Sequence, residues 1–367
     1  MTSERAGCVL ILNLESLGLG RVIRPVGSLP QAAERLDPDP GRREPDEIHI
    51  DVETLNVDSA SFRQIEEAEG GDAGRIADRI AAITRERGKL QNPVTGSGGM
   101  LLGRVAFIGE HAAAPGGAAG RAGVRVGDRV ATLVSLTLTP LVITRVRGVR
   151  MATHQVDIDG TAIVFSSGIL ARMPEDFPEP LALALFDVAG AAPQVGRLAT
   201  PGGSVFVLGV GGKSGLLVAA AARRKVGPSG VVVGVEADAT AAASARSLGF
   251  AVDVVQASAI DPVACAQAAL AAGGPTVAAA GGFDLAVSCV NVPGAELAAI
   301  LATRDRGKVY FFSMATSFAR AALGAEGVAR DVDMLIGNGY CAHHAEETLA
   351  LVRDEPGLRA ELARRYA

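Results

Sequence analysis

The chain has 367 residues, of which 49% are hydrophobic and 20% are charged, and its formal net charge at pH 7 is −5. This length favours two domains, and the composition is typical of a globular α/β protein. The acidic balance argues against nucleic-acid binding, and no apolar run is long enough to span a membrane. Because the first residues also lack a signal-peptide pattern, we expect a cytoplasmic protein with neither a nucleic-acid nor a membrane partner.

The first half of the chain is predicted to be mostly β, with short helices. Glu47–Val57 alternates apolar and polar residues, as in a half-buried strand, and Phe62 and Ile65 then follow at helical spacing. Asp58 and Ser59 stand between the strand and the helix, where either side chain would serve as an N-cap. The pattern leaves open whether these two residues do more than cap the helix.

A glycine-rich polar segment at 88–100 precedes the next predicted strand. Lys89, Asn92, Thr95 and Ser97 lie within nine positions of one another there. Such a segment is either a bend into a barrel or part of a site, because loops on rigid scaffolds are where sites are built. We treat its polar residues as candidate substrate-binding groups.

The stretch from Ser204 to Glu236 is predicted to form a βαβ unit. Val205–Leu208 and Val231–Val235 are short apolar runs typical of buried strands, and helix-forming residues at 216–224 lie between them. A glycine turn after the first strand lets the backbone approach a pyrophosphate, which then binds free N–H groups at the helix N-terminus. The alternative is a purely structural turn. The candidate cofactor residues of the turn are Gly209, Gly211, Gly212, Lys213 and Ser214.

The turn departs from the G-x-G-x-x-G pattern, because Ser214 occupies the third glycine position. A frame that ends at Gly215 instead loses the first glycine spacing. Glu236 follows 22 residues after Ser214, near the ~20 expected for a ligand of the ribose hydroxyls. A carboxylate there repels a 2′-phosphate, which favours NAD, with NADP as the alternative. Lys213 either contacts a phosphate or is solvated.

Strands and helices alternate through the rest of the second half, as in a doubly wound parallel sheet. Ligands of such sheets bind outside the carboxyl ends of the strands. Two predicted strands end near 289 and 313. The residues there are expected to flank a nicotinamide ring, or else to be plain turn residues: Asn291, Val292, Ser313 and Met314.

No metal-binding pattern is present in the sequence. The four cysteines are scattered without a C-x-x-C pair, and none of the five histidines forms an H-E-x-x-H motif. We therefore expect no metal.

Two strings in the chain resemble the medium-chain dehydrogenase/reductase superfamily: the G-D-R-V turn within Val124–Val130 and the glycine loop within Pro201–Gly215. This resemblance implies an α/β fold with a β-rich GroES-like domain at 1–178, completed by 325–367, and a Rossmann domain at 179–324. It also implies a homodimer or homotetramer, often formed by edge-to-edge pairing of the Rossmann sheets.

Two further strings resemble the L-erythro-3,5-diaminohexanoate dehydrogenase family: LNVDSASFRQI at Leu55–Ile65 and GKLQNPVTGSGGMLLG at Gly88–Gly103. This resemblance implies NAD(P)-dependent oxidative deamination of a small diamino acid, as in lysine fermentation. Zinc-dependent members of the superfamily hold their metal through a cysteine near the 57–61 loop, and this loop offers Asp58, Ser59 and Ser61 instead. The reaction is thus expected to be zinc-independent.

Metal-free deamination needs a group that takes a proton from the substrate ammonium, a base that activates water, and anchors for the other charged groups. Asp58 is the first candidate for binding an ammonium or acting as the base, with a plain N-cap as its alternative. Lys89 either anchors the substrate carboxylate or, with its pKa lowered by desolvation, acts as base or acid. The remaining hydrogen-bonding candidates are Ser59, Gln64, Asn92, Thr95 and Ser97.

Two other functions remain open at this point. A zinc-free quinone or enoyl reductase of the same superfamily would need no ammonium-binding carboxylate and would prefer NADPH. A non-catalytic NAD-binding protein would bind nucleotide without turnover.

Overall fold

The computed structural model describes residues 14–313 and 315–367. Its backbone contacts divide the chain into two compact units, with the boundary between Pro174 and Glu175. Among the described residues, no helix is both long and apolar enough to cross a bilayer.

The first unit is built on a six-stranded antiparallel sheet, and two further strands form a small separate ladder. Its elements are, in chain order, β1 (Val22–Arg24), β2 (Arg35–Leu36), β3 (Glu47–Val57), α1 (Ser59–Ala68), α2 (Ala73–Arg87), β4 (Gly99–Ile108), α3 (Glu110–Ala113), α4 (Ala118–Ala122), β5 (Arg129–Thr132), β6 (Leu141–Arg150), β7 (Gln155–Phe165) and β8 (Leu170–Arg172). The strand order in the large sheet is β6-β7-β3-β4-β5-β8.

Strand β3 lies in the middle of this sheet and has the bounds that its alternating pattern predicts. Its apolar residues share one core with Phe62 and Ile65 of α1. At the start of β3 the polar residues Glu47 and His49 are buried as well. Glu47 accepts a hydrogen bond from Nε of Arg21 at 2.7 Å, and its carboxylate lies 3.0 Å from Nε2 of His49. Burial alone would raise the pKa of Glu47, but the hydrogen bonds from His49 and Arg21 lower it to about 2.

The second unit is a doubly wound parallel sheet of six strands with helices between them. Its elements are, in chain order, α5 (Glu179–Phe186), α6 (Ala191–Leu198), β9 (Ser204–Leu208), α7 (Lys213–Val226), β10 (Val231–Glu236), α8 (Ala239–Ser247), β11 (Asp253–Gln256), α9 (Pro262–Ala279), β12 (Phe283–Ser288), α10 (Glu296–Ala302), β13 (Thr303–Phe311), α11 (Phe318–Gly327), β14 (Asp333–Ile336), α12 (His344–Asp354) and α13 (Pro356–Tyr366).

The strand order β11-β10-β9-β12-β13-β14 confirms the Rossmann-like prediction. The chain runs outward from β9 through β10 to β11, and then returns to the other side of β9 for β12, β13 and β14. The order therefore reverses between β9 and β12, and ligands of such sheets bind outside the carboxyl ends of the strands at this point.

The expectation that residues 325–367 complete the first domain is wrong. Strand β14 extends the parallel sheet beside β13, and α12 packs on α5, α6 and α7. Leu358 and Leu362 of α13 are fully buried, and Thr348 Oγ1 of α12 donates to the Ala189 carbonyl at 2.7 Å. The apolar faces of the last two helices are thus covered within the second unit.

Candidate active site

The glycine turn after β9 leaves the N-terminus of α7 without a side-chain cap. Gly209 has a φ of +80°, a region that glycine adopts readily, and its N–H donates to the Val235 carbonyl at 2.8 Å. Gly212 is the N-cap of α7, where no side chain accepts from the free N–H groups of the first turn. These N–H groups fit a pyrophosphate, whose charge they and the helix dipole would stabilise.

Gly215, and not the position of Ser214, supplies the third glycine of the motif. A Cβ at Gly215 would lie 2.1 Å from the Gly209 carbonyl oxygen, so only glycine permits this close contact between helix and turn. The turn is one residue longer than the frame used in the sequence analysis, which is why that frame ended on serine. Burial raises the pKa of the Cys289 thiol, which follows β12 near Ser214, to about 12.

Glu236 lies at the carboxyl end of β10, beside the turn. Its Oε2 accepts from the N–H of Gly211 at 3.0 Å, and its Oε1 accepts from the N–H groups of Ala237 and Asp238 at 2.9 and 3.2 Å. A Cβ at Gly211 would lie 2.7 Å from the Ala241 side chain and 2.9 Å from Oε2 of Glu236. The carboxylate is thereby fixed at the edge of the turn.

The Lys213 side chain is not freely solvated, and it contacts two residues outside the turn. Its Nζ donates to Oδ2 of Asp187 at 2.8 Å and lies 5.5 Å from the centre of the Tyr366 ring. With a side chain only 19% exposed, Lys213 is held by these two partners in this structure.

Two of the residues expected near a nicotinamide ring contact one another. Ser313 Oγ, after β13, donates to Oδ1 of Asn291, after β12, at 3.4 Å. Val292 is 40% exposed. Met314 lies outside the described residues.

In the first unit, Asp58 joins the N-terminus of α1 to the polar segment before β4. Its Oδ1 accepts from the N–H groups of Ala60 and Ser61 at 3.0 and 3.2 Å, so Asp58 is the N-cap of α1. The same oxygen accepts from Ser97 Oγ at 3.0 Å. Among residues 14–313 and 315–367, no group hydrogen-bonds to Oδ2 of this partly exposed side chain.

A row of three hydroxyl groups leads away from Asp58. Ser61 Oγ lies 2.7 Å from Ser97 Oγ and 2.6 Å from Thr95 Oγ1. Ser61 is buried, whereas Thr95 is exposed. The hydroxyls therefore connect the carboxylate to the surface of the unit. Ser61 was not among the candidate site residues, although it stands three positions after Asp58.

Asn92 holds the polar segment against α1. It is 1% exposed, and its Nδ2 donates to Oε1 of Gln64 at 2.9 Å while its Oδ1 accepts from the N–H of Val94 at 2.8 Å. Gln64 itself is half-buried. Asn92 therefore stabilises the conformation of the polar segment, and Gln64 lies nearer the surface than Asn92.

Lys89 is fully buried. Its Nζ donates to the carbonyl oxygens of Pro30 and Gln31 at 2.8 and 3.3 Å. Burial, together with the charge of Arg87, lowers the pKa of Lys89 to about 8. The lowered pKa agrees with a desolvated lysine, but its described partners are backbone carbonyls and not the hydroxyl row.

Ser59 contacts a residue that sequence reasoning missed. Its Oγ lies 3.2 Å from Nδ1 of His154, whose ring stacks on Phe62 with 4.7 Å between ring centres. His154 stands between β6 and β7 with a φ of 55°. Since it is 95 positions from Ser59, no local pattern could have placed it there.

Within the described part of the chain, no group of three or more His, Cys, Asp or Glu side chains is arranged to hold a metal ion.

Comparison with known proteins identifies the family. Residues 20–174 match the L-erythro-3,5-diaminohexanoate dehydrogenase N-terminal domain. The chain is 48% identical over 349 residues to the L-erythro-3,5-diaminohexanoate dehydrogenase of Acetoanaerobium sticklandii, covering 95% of this chain and 98% of that relative. The enzyme of the same name from Fusobacterium nucleatum is 47% identical over 342 residues, covering 93% and 96%.

Among solved structures, a mycobacterial protein in complex with NADPH has the same fold. It is 16% identical, covers 87% of this chain and 88% of its own, and superimposes with a TM-score of 0.50. The identity over nearly full length, together with the two-unit fold, shows that the chain belongs to the L-erythro-3,5-diaminohexanoate dehydrogenase family.

Proposed function

We propose that this chain is an amine dehydrogenase that converts L-erythro-3,5-diaminohexanoate to 5-amino-3-oxohexanoate and ammonia, with a nicotinamide dinucleotide as oxidant. Family membership over nearly the whole chain supports the substrate. The structural observation that carries the proposal is Oδ2 of Asp58, a carboxylate oxygen without a described partner beside a row of hydroxyls. An ammonium is the natural ligand of such an oxygen.

The second unit supports the cofactor. The turn of Gly209, Gly211 and Gly212 fits the pyrophosphate, because the first N–H groups of α7 have no side-chain cap. Glu236 would accept from the adenosine ribose hydroxyls and repel a 2′-phosphate, so NAD is the proposed cofactor in preference to NADP. Asn291 and Ser313 are proposed to flank the nicotinamide ring. When bound, the dinucleotide accepts hydride from the carbon that carries the reacting amine.

Asp58 is proposed to bind the reacting ammonium and to take its proton, because only the neutral amine can release hydride from its carbon. That proton would then leave to solvent from the partly exposed Oδ2. The Ser97 hydroxyl, which donates to Oδ1 and is itself hydrogen-bonded to Ser61 and Thr95, would stabilise the ionised, proton-accepting carboxylate. Water then adds to the iminium carbon, and the C–N bond breaks to release ammonia. The same carboxylate serves as base for the water.

The remaining polar groups are proposed to orient the substrate. Gln64 and Ser59 lie nearer the surface than Asn92, and their donors suit the substrate carboxylate. The buried contacts of Lys89 with two backbone carbonyls favour a supporting part, and its role as anchor or base stays a prediction. Zinc independence is likewise proposed, on the ground that the 57–61 loop offers carboxylate and hydroxyl groups in place of a cysteine.

We further infer that the protein forms a homodimer or homotetramer. Strand β14 is the last strand of the parallel sheet, and its Met334 and Ile336 are 37% and 64% exposed. An exposed apolar edge strand is a template for pairing with another chain. Light scattering should therefore give a mass above that of one chain, and Ile336→Asp should lower it.

The direct test is an assay of NADH and ammonia formation from L-erythro-3,5-diaminohexanoate, run with NAD and then with NADP. Turnover that releases one ammonia per NADH is expected, and faster with NAD. NADPH-dependent reduction of a quinone or enone, without activity on the diamine, would instead favour a reductase. Binding of NADH with no turnover of any amine or carbonyl would favour a non-catalytic protein.

A further inference from the structure

The end of helix α13 contacts the dinucleotide-binding turn within the second unit. Two leucines, Leu358 and Leu362, anchor the helix by full burial. Beyond them, Nη1 of Arg365 donates to the carbonyl oxygen of Gly211 at 2.6 Å. No sequence pattern assigns a C-terminal helix to a glycine turn some 150 positions earlier, and the proposed function does not use this contact.

Arg365 is braced before it reaches the turn. Its Nε donates to Oε1 of Glu361 at 2.6 Å, one helical turn earlier, and its Nη2 donates to Ser244 Oγ of α8 at 3.1 Å. Ser244 in turn donates to Glu361. Three of the five N–H donors of the guanidinium are thus used, and the side chain is 19% exposed. A side chain already held by Glu361 and Ser244 loses little further freedom when it also holds the turn.

The peptide groups of Gly211 are held from two sides. The N–H of Gly211 donates to Glu236 at 3.0 Å, and its carbonyl accepts from Arg365. Since Gly211 has no side chain to restrict its backbone, these two charged partners fix the orientation of the turn. The N–H of Gly212 donates to the Gly209 carbonyl at 3.3 Å, so the free N–H groups proposed to receive the pyrophosphate begin at Lys213.

The following side chain of α13 contacts the other end of the turn. The ring of Tyr366 lies 5.5 Å from Nζ of Lys213, the first residue of α7. Asp187 holds the same ammonium at 2.8 Å. Adjacent residues of α13 therefore contact the turn immediately before and immediately after its uncapped helix N-terminus.

We propose that Arg365 is a positioning residue for the dinucleotide: by holding the Gly211 carbonyl, it keeps the turn in the form whose N–H groups bind the pyrophosphate. This inference rests on the proposed cofactor site, but not on the proposed substrate. It predicts that cofactor affinity depends on Arg365 whereas the chemistry of the amine does not.

The chain offers a matched control in Arg364. This residue also pairs with Glu361, through Nε at 2.9 Å to Oε2, but it is 66% exposed and does not contact Gly211. Both substitutions remove one arginine from the same end of α13 and its hydrogen bonds to the Glu361 carboxylate, of which Arg364 makes two and Arg365 makes one. They differ in that only Arg365 contacts Ser244 and the turn.

The test is a fluorescence titration of Arg365→Ala, Arg365→Lys, Arg364→Ala and the parent protein with NADH, with melting temperatures measured alongside. A charge-assisted hydrogen bond predicts that R365A raises the dissociation constant about tenfold, which corresponds to about 1.4 kcal/mol. R365K keeps the positive charge and the helix propensity but loses the planar fork that reaches three partners, so its dissociation constant should lie between those of R365A and the parent. R364A should stay within about twofold of the parent.

In steady state with the diamine, R365A should raise KM for NAD while kcat stays close to that of the parent. Unchanged NADH binding in R365A, or equal weakening in R365A and R364A, would overturn the proposal. If R365A fails to fold, an unchanged dissociation constant in R365K would overturn it in the same way. A parent protein that binds NADH without oxidising the diamine would refute the proposed substrate, and the binding comparison would still decide the role of Arg365.

Discussion

The substitution Asp58→Asn separates the two functions that one carboxylate would serve. In the structure, Oδ1 of Asp58 caps α1 and accepts from Ser97, whereas Oδ2 has no partner among the described residues. Asparagine keeps an oxygen for the cap but loses the negative charge and the ability to take a proton. Because asparagine and aspartate are about equally good N-caps, D58N should change the free energy of unfolding by less than about 0.5 kcal/mol.

Its effect on catalysis should be much larger. Loss of a positioned acid–base group typically costs ~10²–10⁴ in rate, so kcat/KM for the diamine should fall by at least about 100-fold. Asp58→Ala should lose the cap as well, at a cost of about 1–2 kcal/mol. Stability is measured by urea unfolding and activity by NADH formation.

Asp72 provides the matched cap. Its side chain accepts from the N–H of Arg75 at 2.8 Å and caps α2, and the residue is exposed. Asp72→Ala should cost about 1 kcal/mol and leave kcat/KM within about twofold of the parent. If D58N kept the activity of the parent, Asp58 would be a cap and nothing more, and the proposed ammonium site would be refuted.

Three other predictions concern a buried lysine, the cofactor and metal removal. The pKa of Lys89 falls from 10.5 to about 8 on folding, so the unfolded chain binds more protons than the folded one between these pH values. The free energy of unfolding of the parent, measured relative to that of Lys89→Met, should therefore rise by up to about 3 kcal/mol from pH 8 to 10.5. A difference between the two proteins that does not change with pH in urea unfolding would contradict this. Glu236→Ala should raise the ratio of kcat/KM for NADP to that for NAD by about tenfold or more, while Asp238→Asn leaves it unchanged. Incubation with a chelator should not alter turnover; a loss that zinc restores would contradict zinc independence.

The sequence was most informative where periodicity or spacing is set by local sterics. The alternation in Glu47–Val57 predicts the observed strand, because side chains of a strand point alternately to its two faces. The order of strand, glycine turn, helix, strand and Glu236 likewise predicts the observed βαβ unit. The sequence likewise predicts the N-cap of α1 at Asp58 or Ser59, since capping depends on the next three residues, and in the structure the cap is Asp58.

Features that depend on contacts between distant segments could not be predicted. Gly215 is required because a Cβ there would lie 2.1 Å from the carbonyl oxygen of Gly209, six residues earlier. The G-x-G-x-x-G spacing does not predict this contact, because the turn is one residue longer than that pattern. His154 reaches Ser59 only because β7 pairs with β3. Residues 325–367 were expected in the first domain but lie in the second unit. The pattern of an amphipathic helix shows which of its faces is buried, but it does not show which part of the protein covers that face.

We expect the enzyme to transfer nitrogen as ammonia together with hydride. This is tested most directly by incubating the protein with 5-amino-3-oxohexanoate, NADH and isotopically labelled ammonium, and then analysing the product by mass spectrometry. The proposed reaction predicts a 3,5-diaminohexanoate that carries one labelled nitrogen for each NADH oxidised. Oxidation of NADH with formation of a 3-hydroxy acid and no incorporated label would contradict it.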